Sequence, residues 1–251
     1  MSAQLPFRPP PQPPSGPTKD AAQRPLLISF SGLDGSGKST QIENLCSVLE
    51  ELGYRTVRLA FWDDVVVLTR YREGFVHNVF GSEQGIGAPG KPVRRRDKNM
   101  RGWYLTLARH VLYFLDTINL RRVIGRVRRN HNGAIVIDRY IYDELANLPL
   151  HNFCSRAFVH LMNGLAPQPD IAYLLDADPD EACARKPEYP VEFMRQCRGW
   201  YHNLAGLLGT MIVIPPEPLE DARRRVTKVL LTFLQIRDDP TQAGEPWRKT
   251  A

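Results

Sequence analysis

The sequence has few cysteines and no long apolar run. Its 251 residues include only four cysteines, none of them in a C-x-x-C pair. We therefore predict neither a disulfide framework nor a zinc site, and we interpret the thiols as reduced residues of a cytoplasmic protein. No stretch of about 18 apolar residues is present, which argues against a membrane-spanning helix. Prolines stand where a signal peptide would need an apolar core, so secretion is not expected.

Large apolar residues are also scarce in the first 25 positions, which are rich in proline. Such a segment cannot bury enough surface to order itself. We predict a disordered tail over residues 1–25, one domain over 26–236 and a flexible tail over 237–251.

Acidic residues are outnumbered, and the net charge of +6 suits anionic partners, which include nucleotides and nucleic acids. Much of the excess lies at 94–101 and at 121–129. The second group falls on a predicted helix, where a solvated face is the usual explanation. Because no aromatic residues are interleaved and no nucleic-acid-binding motif is present, a nucleic acid is not the expected partner.

A glycine-rich turn follows the first apolar run, Leu26–Ser31, and leads into an amphipathic stretch. The turn matches the phosphate-binding P-loop pattern G-x-x-x-x-G-K-[ST], with the residues Gly32, Leu33, Asp34, Gly35, Ser36, Gly37, Lys38, Ser39 and Thr40. Glycines let the backbone N–H groups surround an anion, and a helix N-terminus adds its positive dipole end. We predict that Lys38 reaches the β- and γ-phosphates and that the Ser39 hydroxyl contacts Mg²⁺.

Apolar runs alternate with helical patterns along the chain. Strands are predicted at 26–31, 55–61, 134–137, 171–175 and 211–214, and the main helices at about 38–52, 102–129, 155–164, 191–208 and 219–236. This alternation predicts an α/β fold, a five-stranded parallel sheet with helices on both faces. In the long helix the periodicity predicts a buried stripe of Leu107, Val111, Phe114, Leu115, Ile118, Ile124 and Val127. Residues 62–100 are predicted to be a long functional or disordered loop, whose basic end either covers the phosphate site or is solvated.

Two carboxylates follow apolar strands and are candidates for holding Mg²⁺, Asp138 and Asp176. Periodicity alone does not choose between them. We favour Asp138 because Arg139 stands beside it and could stabilise a transferring phosphoryl group. The alternative for Arg139 is a structural salt bridge.

The chain resembles the thymidylate kinases in its P-loop, in the Asp138-Arg139-Tyr140 triplet and in the Leu175–Pro179 strand end. The resemblance covers residues 26–236. It implies P-loop NTPase, or nucleotide-kinase, architecture and transfer of the γ-phosphoryl of ATP to a deoxynucleoside monophosphate, usually dTMP, with Mg²⁺. It also suggests a homodimer.

The resemblance also implies roles for individual residues. Lys38 steadies the phosphates, Asp34 lies near the acceptor, and Asp138 serves the metal. Arg139 bridges the donor and acceptor phosphates, and Tyr140 lines the acceptor pocket.

Two further positions are expected at the site. Phe61, at the end of the second strand, is predicted to contact the acceptor. In the thymidylate kinases the catalytic arginine lies either in the P-loop or in a flexible lid. Because this P-loop has none, the resemblance implies that the lid supplies it, and Arg185 with Lys186 is the candidate.

The chain departs from the family in the acceptor half. Thr117 stands where an arginine grips the acceptor phosphate, Asp143 replaces a serine, Asn147-Leu148 replaces a Tyr-Gln pair, and the lid over Arg185–Pro190 is short. These departures keep two alternatives open. One is a kinase of a nucleoside or another small hydroxylated metabolite, and the other is a catalytically weak nucleotide-binding regulatory protein.

Overall fold

A computed structural model describes residues 24–67 and 103–238, with only the backbone described at 103–106. Nearly all of the predicted N-terminal tail, most of the predicted loop at 62–100 with its arginines, and the residues after 238 lie outside this description. The last two residues of the predicted tail are described: Arg24 pairs with Asp170, and Pro25 is buried.

The described residues form a five-stranded sheet in the order β2-β3-β1-β4-β5, and every neighbouring pair is parallel. The strands are β1 (Leu26–Gly32), β2 (Thr56–Ala60), β3 (Ala134–Asp138), β4 (Ile171–Leu175) and β5 (Ile212–Ile214). Strands β1 and β4 are buried along their whole length. Continuous burial explains why β4 appears as an unbroken apolar run in the sequence, whereas β1 also buries two serines, Ser29 and Ser31. The predicted fold class is confirmed.

Helices cover both faces of this sheet. They are α1 (Lys38–Glu51), α2 (Trp103–Asn130), α3 (Ile141–Leu145), α4 (Phe153–Leu165), α5 (Pro179–Arg185), α6 (Val191–Leu208) and α7 (Leu219–Asp238), and a single π-helical turn spans Phe61–Val65. Helices α1 and α7 share one apolar core with alternate residues of β1, and α2, α3, α4 and α6 share the other. None of these helices combines the length and apolar character needed to cross a bilayer. The short helix α3 was not predicted.

The prediction for helix α2 is wrong over its first half. Leu107 is 57% exposed and Val111 is 53% exposed, and Phe114 and Leu115 are also exposed. The buried face instead carries Tyr113, Asp116, Thr117 and Leu120, whereas Ile124 is buried as predicted. Polar groups are tolerated there because they have partners: Asp116 Oδ1 accepts the Val67 N–H at 2.9 Å, and the Thr117 hydroxyl donates to the Tyr113 carbonyl at 2.7 Å.

The register of the sheet brings the strand ends to one edge. Phe30 in β1 and Ala60 in β2 each pair with Asp138, and Gly32 pairs with Leu175. Ligands of open parallel sheets bind beyond the carboxyl ends of the strands. The P-loop and Asp138 therefore lie at the edge where a ligand is expected.

Candidate active site

The P-loop between β1 and α1 needs glycine for two different reasons. Gly32 and Gly35 have φ of 142° and 80°, and a Cβ there would lie 2.3 Å from the Leu175 carbonyl oxygen and 2.4 Å from that of Ala182. Backbone from β4 and α5 thus packs directly against the loop. Gly37, with φ 87°, precedes α1 in a left-handed conformation and has open space around it. The loop therefore packs against neighbouring backbone at Gly32 and Gly35, whereas the space around Gly37 is open.

Lys38 is the first residue of α1, and its side chain turns back over the loop. Its Nζ donates to the carbonyl oxygens of Gly32 at 3.0 Å and Leu33 at 2.6 Å, and the residue is only 7% exposed. Burial lowers the pKa of Lys38 from 10.5 to about 8, and the positive charge of Arg139 adds to the effect. Lys38 and Arg139 are thus neighbouring cations, and a site for several phosphate charges needs such a pair.

Arg139 lies between β3 and α3 in a strained conformation, with φ of 65°. Its backbone N–H donates to the Phe30 carbonyl at 2.8 Å. Its guanidinium pairs with two carboxylates, Asp34 in the P-loop and Asp143, the latter at 3.3 Å. Burial alone would lower the pKa of Arg139, but these carboxylates more than reverse it, so the pKa is raised. The structure thus brings Lys38, Asp34 and Arg139 together.

The carboxylate of Asp143 is a part of the site to which the sequence assigned no role. Oδ2 accepts the Ser31 hydroxyl at 2.7 Å and the Tyr140 N–H at 2.9 Å, and Oδ1 accepts the Tyr201 hydroxyl at 2.6 Å. The only sequence signal was the replacement of the family's serine by aspartate. Its partners on β1 and α6 are distant in the chain, so spacing could not reveal them.

The two candidate metal carboxylates differ in their partners. Asp176 is bound by Arg198 through two hydrogen bonds of 2.8 and 2.7 Å and by His202 at 3.0 Å. In contrast, Oδ1 of Asp138 is buried without a hydrogen-bond partner. A buried carboxylate oxygen normally has a partner, so Asp138 fits the role of a metal ligand better than Asp176 does.

Asp138 and Ser39 fit a magnesium ion that takes its other ligands from phosphates and water. Ser39 is exposed in the first turn of α1. Within the described residues no three His, Cys, Asp or Glu side chains converge as in an all-protein metal site. Magnesium in phosphoryl-transfer sites needs only one or two protein ligands, because phosphates and water supply the others.

Three predicted or family-equivalent acceptor positions point into the core instead of the site. Phe61 and Tyr140 are completely buried, and the Tyr140 hydroxyl donates to the Pro167 carbonyl. We therefore remove both from the predicted acceptor site. Thr117, at the position of the family's arginine, is also completely buried. Of the predicted acceptor contacts, the open edge retains Asp34 and Arg139.

Arg185 ends α5 and lines a cleft beside the P-loop. The walls of the cleft include Ser36, Asp176 and Glu217. The Arg185 guanidinium pairs with Glu181 at 3.3 Å and is half exposed, and Lys186 pairs with Glu188 at 3.1 Å. Surface pairs of this kind are weak, so both cations are available to a bound anion.

Comparison with known proteins agrees with the geometry. No protein-family model matches the sequence. A probable thymidylate kinase of Pyrobaculum aerophilum is 30% identical over 226 residues, which are 84% of this chain and 95% of the relative. That of Archaeoglobus fulgidus is 24% identical over 220 residues, 84% of this chain and 98% of the relative.

Solved structures agree in fold. The thymidylate kinase of Ehrlichia chaffeensis has a TM-score of 0.54 at 18% identity and covers 83% of this chain and 99% of its own. That of Candida albicans has the same TM-score and identity, with coverages of 84% and 93%. Taken with the 30% identity to the Pyrobaculum protein over nearly all of that relative, these likenesses lead to one conclusion: the chain belongs to the thymidylate kinase family.

Proposed function

We propose that this protein transfers the γ-phosphoryl group of ATP to a nucleoside monophosphate, with dTMP as the acceptor. The observation that carries the proposal is the convergence of the P-loop, Lys38, Arg139 and the unpartnered oxygen of Asp138 at one edge of the sheet. Relatives that match nearly their whole length are named thymidylate kinases, which supports the choice of acceptor.

The P-loop and Lys38 would bind the phosphates of ATP. The open side of the loop at Gly37 leaves room for phosphate oxygens, and the N–H groups of the first turn of α1 have no partners within the helix. Phosphate oxygens would replace the Gly32 and Leu33 carbonyls as acceptors for Lys38. In this exchange the Lys38 ammonium gives up hydrogen bonds to neutral carbonyl groups for hydrogen bonds to a charged phosphate. Hydrogen bonds between two charged groups are stronger, so the exchange favours binding.

Arg139 and the magnesium ligands would manage the charge of the transferring group. Phosphoryl transfer asks the protein mainly to position the reactants and stabilise charge. One terminal nitrogen of the Arg139 guanidinium pairs with the Asp34 carboxylate. Because the Asp34 side chain is 24% exposed, a phosphate oxygen can take its place on Arg139. Asp138 and Ser39 would hold Mg²⁺, which neutralises charge on the phosphate oxygens when bound. Arg185 would approach the phosphates from the rim of the cleft.

An ADP-release assay across a panel of acceptors tests the proposal. We expect dTMP to accelerate ADP release from ATP and Mg²⁺ over the background without acceptor. Acceleration by thymidine or another unphosphorylated acceptor, without acceleration by dTMP, would contradict it. ATP binding with no acceptor-dependent turnover would indicate a regulatory nucleotide-binding protein instead.

A matched pair of lysine variants links the activity to the P-loop. Lys38→Ala should abolish transfer and leave the fold intact, whereas Lys228→Ala, at an exposed position of α7, should keep full activity. Near-full activity in Lys38→Ala would rule out the assignment of the P-loop.

We also propose that the protein is a cytoplasmic homodimer. Support comes from the exposed apolar residues of α2, Leu107, Val111, Phe114 and Leu115, which lie three to four positions apart and form one face. Light scattering should give twice the mass of 28.6 kDa. Val111→Glu, which introduces a charge at the centre of this face, should shift the mass to that of one chain.

A further inference from the structure

The carboxylate of Asp143 accepts four hydrogen bonds at the active-site edge, each from a different residue. Its side chain is 3% exposed, and its two oxygens accept from the Ser31 hydroxyl, the Tyr140 N–H, the Tyr201 hydroxyl and the Arg139 guanidinium. All four partners are donors, the arrangement that a carboxylate anion needs to remain buried.

These partners fix the carboxylate from several directions. Ser31 belongs to β1 in the centre of the sheet, the Tyr140 N–H precedes α3, and Tyr201 belongs to α6. Because each oxygen is held by two donors from different segments, the carboxylate cannot follow a moving partner without losing other hydrogen bonds. Asp143 is therefore a rigid point beside Arg139.

The two carboxylates on Arg139 are not equivalent. Asp34 is 24% exposed and lies in the phosphate-binding loop, whereas Asp143 is buried and bound by three further donors. A phosphate that approaches Arg139 can displace Asp34 at little cost but cannot reach Asp143. One nitrogen of the guanidinium thus faces an exchangeable partner and the other a fixed one.

Tyr201 connects this arrangement to the candidate lid. Helix α6 begins at Val191, directly after the segment Arg185–Pro190, and the Tyr201 hydroxyl reaches back from α6 to Asp143. The Tyr201 hydroxyl therefore anchors the carboxylate that holds Arg139 to the helix that follows the candidate lid.

We propose that Asp143 is a positioning residue: it holds Arg139 in the orientation needed for phosphoryl transfer, and Tyr201 couples it to the helix that follows the lid. This inference rests on the proposed function for its kinetic consequence, but the holding of Arg139 can be measured without any acceptor. At the position where the thymidylate kinases have serine, this chain has Asp143. Its carboxylate can form an ion pair with the Arg139 guanidinium.

The orientation of Arg139 can be observed by NMR of protein labelled with ¹⁵N in its arginines. A guanidinium held by carboxylates rotates slowly about its Nε–Cζ bond and gives separate Nη–H signals, whereas a free one gives an averaged signal. Loss of a signal in Arg139→Lys assigns it. We expect separate Arg139 signals in the wild type and in Asp34→Asn, and averaged signals in Asp143→Asn.

The kinetic consequence is measured with ATP and dTMP in the same variants. Asp143→Asn should lower kcat by about 10- to 100-fold, since misplacing a charged group by about 1 Å has effects of that size. The KM for ATP should change by no more than about threefold, because the P-loop is intact. In an Arg139→Ala background the same substitution should have no further effect on kcat, since Asp143 acts through Arg139.

Asp170→Asn is the matched control. Asp170 is 7% exposed, pairs with Arg24 and accepts the Leu27 N–H at 2.9 Å, but it lies at the opposite edge of the sheet. Its substitution should lower the melting temperature and leave kcat and the Arg139 signals unchanged. If Asp143→Asn does not fold, Asp143→Ser and Tyr201→Phe take its place, and Tyr201→Phe should produce a smaller loss of kcat.

The outcomes separate the two proposals. Unchanged Arg139 signals in Asp143→Asn, or a loss of kcat that persists in the Arg139→Ala background, would overturn the positioning role. If the wild type shows no turnover with dTMP, the proposed function fails, and the NMR measurement alone decides whether Asp143 holds Arg139.

Discussion

Replacing Lys38 by methionine should make the protein inactive and more stable. The ammonium is buried against two carbonyl oxygens, and its pKa of about 8 lies below the ordinary value of 10.5 mainly because burial penalises its charge. That difference corresponds to about 3 kcal/mol against the charged form at neutral pH. Methionine has a similar length and needs no solvation.

The expected gain is smaller than this figure because methionine cannot donate to the loop. Loss of the hydrogen bonds to Gly32 and Leu33 should cost about 1 to 2 kcal/mol. The net stabilisation of Lys38→Met at pH 7 is then about 2 kcal/mol, equivalent to a rise in melting temperature of about 4 to 8 °C for a domain of this size. Urea unfolding followed by circular dichroism measures the free energy, and a thermal scan measures the melting temperature.

The pH dependence of the stability difference between Lys38→Met and the wild type shows whether the buried ammonium causes it. Between pH 8 and 10.5 the unfolded chain keeps a proton on Lys38 that the folded protein has lost. The contribution of Lys38 to the free energy of unfolding of the wild type therefore rises with pH. The penalty is therefore complete below about pH 8 and disappears towards pH 10.5. The advantage of Lys38→Met should shrink by about 1.4 kcal/mol per pH unit within that window.

The exposed Lys228 supplies the control, because Lys228→Met should change stability by less than about 0.5 kcal/mol at every pH. A Lys38→Met protein that unfolds more easily than the wild type at pH 7 would refute the reasoning. It would mean that the hydrogen bonds to the loop outweigh the cost of burying the ammonium.

Three further predictions concern other parts of the site. Gly37→Ala should cost about 1 kcal/mol through its positive φ alone, and Gly35→Ala should cost more in urea unfolding because its Cβ also meets the Ala182 carbonyl. Asp138→Asn should lose magnesium-dependent transfer with little change in melting temperature, whereas Asp176→Asn should lower the melting temperature and retain transfer, since it unpairs Arg198. The opposite pattern would exchange the roles of the two carboxylates. Arg185→Ala should lower kcat by about 10-fold or more without altering the melting temperature, and an unchanged kcat would remove it from the site.

Local sequence patterns were sufficient to predict the sheet and the P-loop. The runs 134–137 and 171–175 are buried on both faces, so every residue in them had to be apolar. The loop pattern encodes its own backbone conformation, since Gly35 and Gly37 adopt positive φ. In these segments the determinants of structure are neighbours in the chain.

The failures occurred where partners are distant in sequence. Helix α2 was oriented by its apolar residues, but it buries Asp116 because the Val67 N–H meets that carboxylate. Asp143 had no predicted role because Tyr201, which donates to it, is 58 residues away. Tyr140 was assigned to an open pocket from resemblance, whereas its hydroxyl reaches Pro167 inside the protein. Periodicity describes one element at a time and contains no information about such contacts.

The left-handed backbone at Arg139 limits what laboratory evolution can safely select. Glycine or asparagine adopts this conformation with less strain, so a library enriched only for heat resistance should drift towards those residues at position 139. The selected variants would be heat-resistant proteins that lack the guanidinium of Arg139. Selection that includes nucleotide turnover should instead keep arginine there, and the ratio of the two outcomes would measure how strongly catalysis opposes relaxation of the chain.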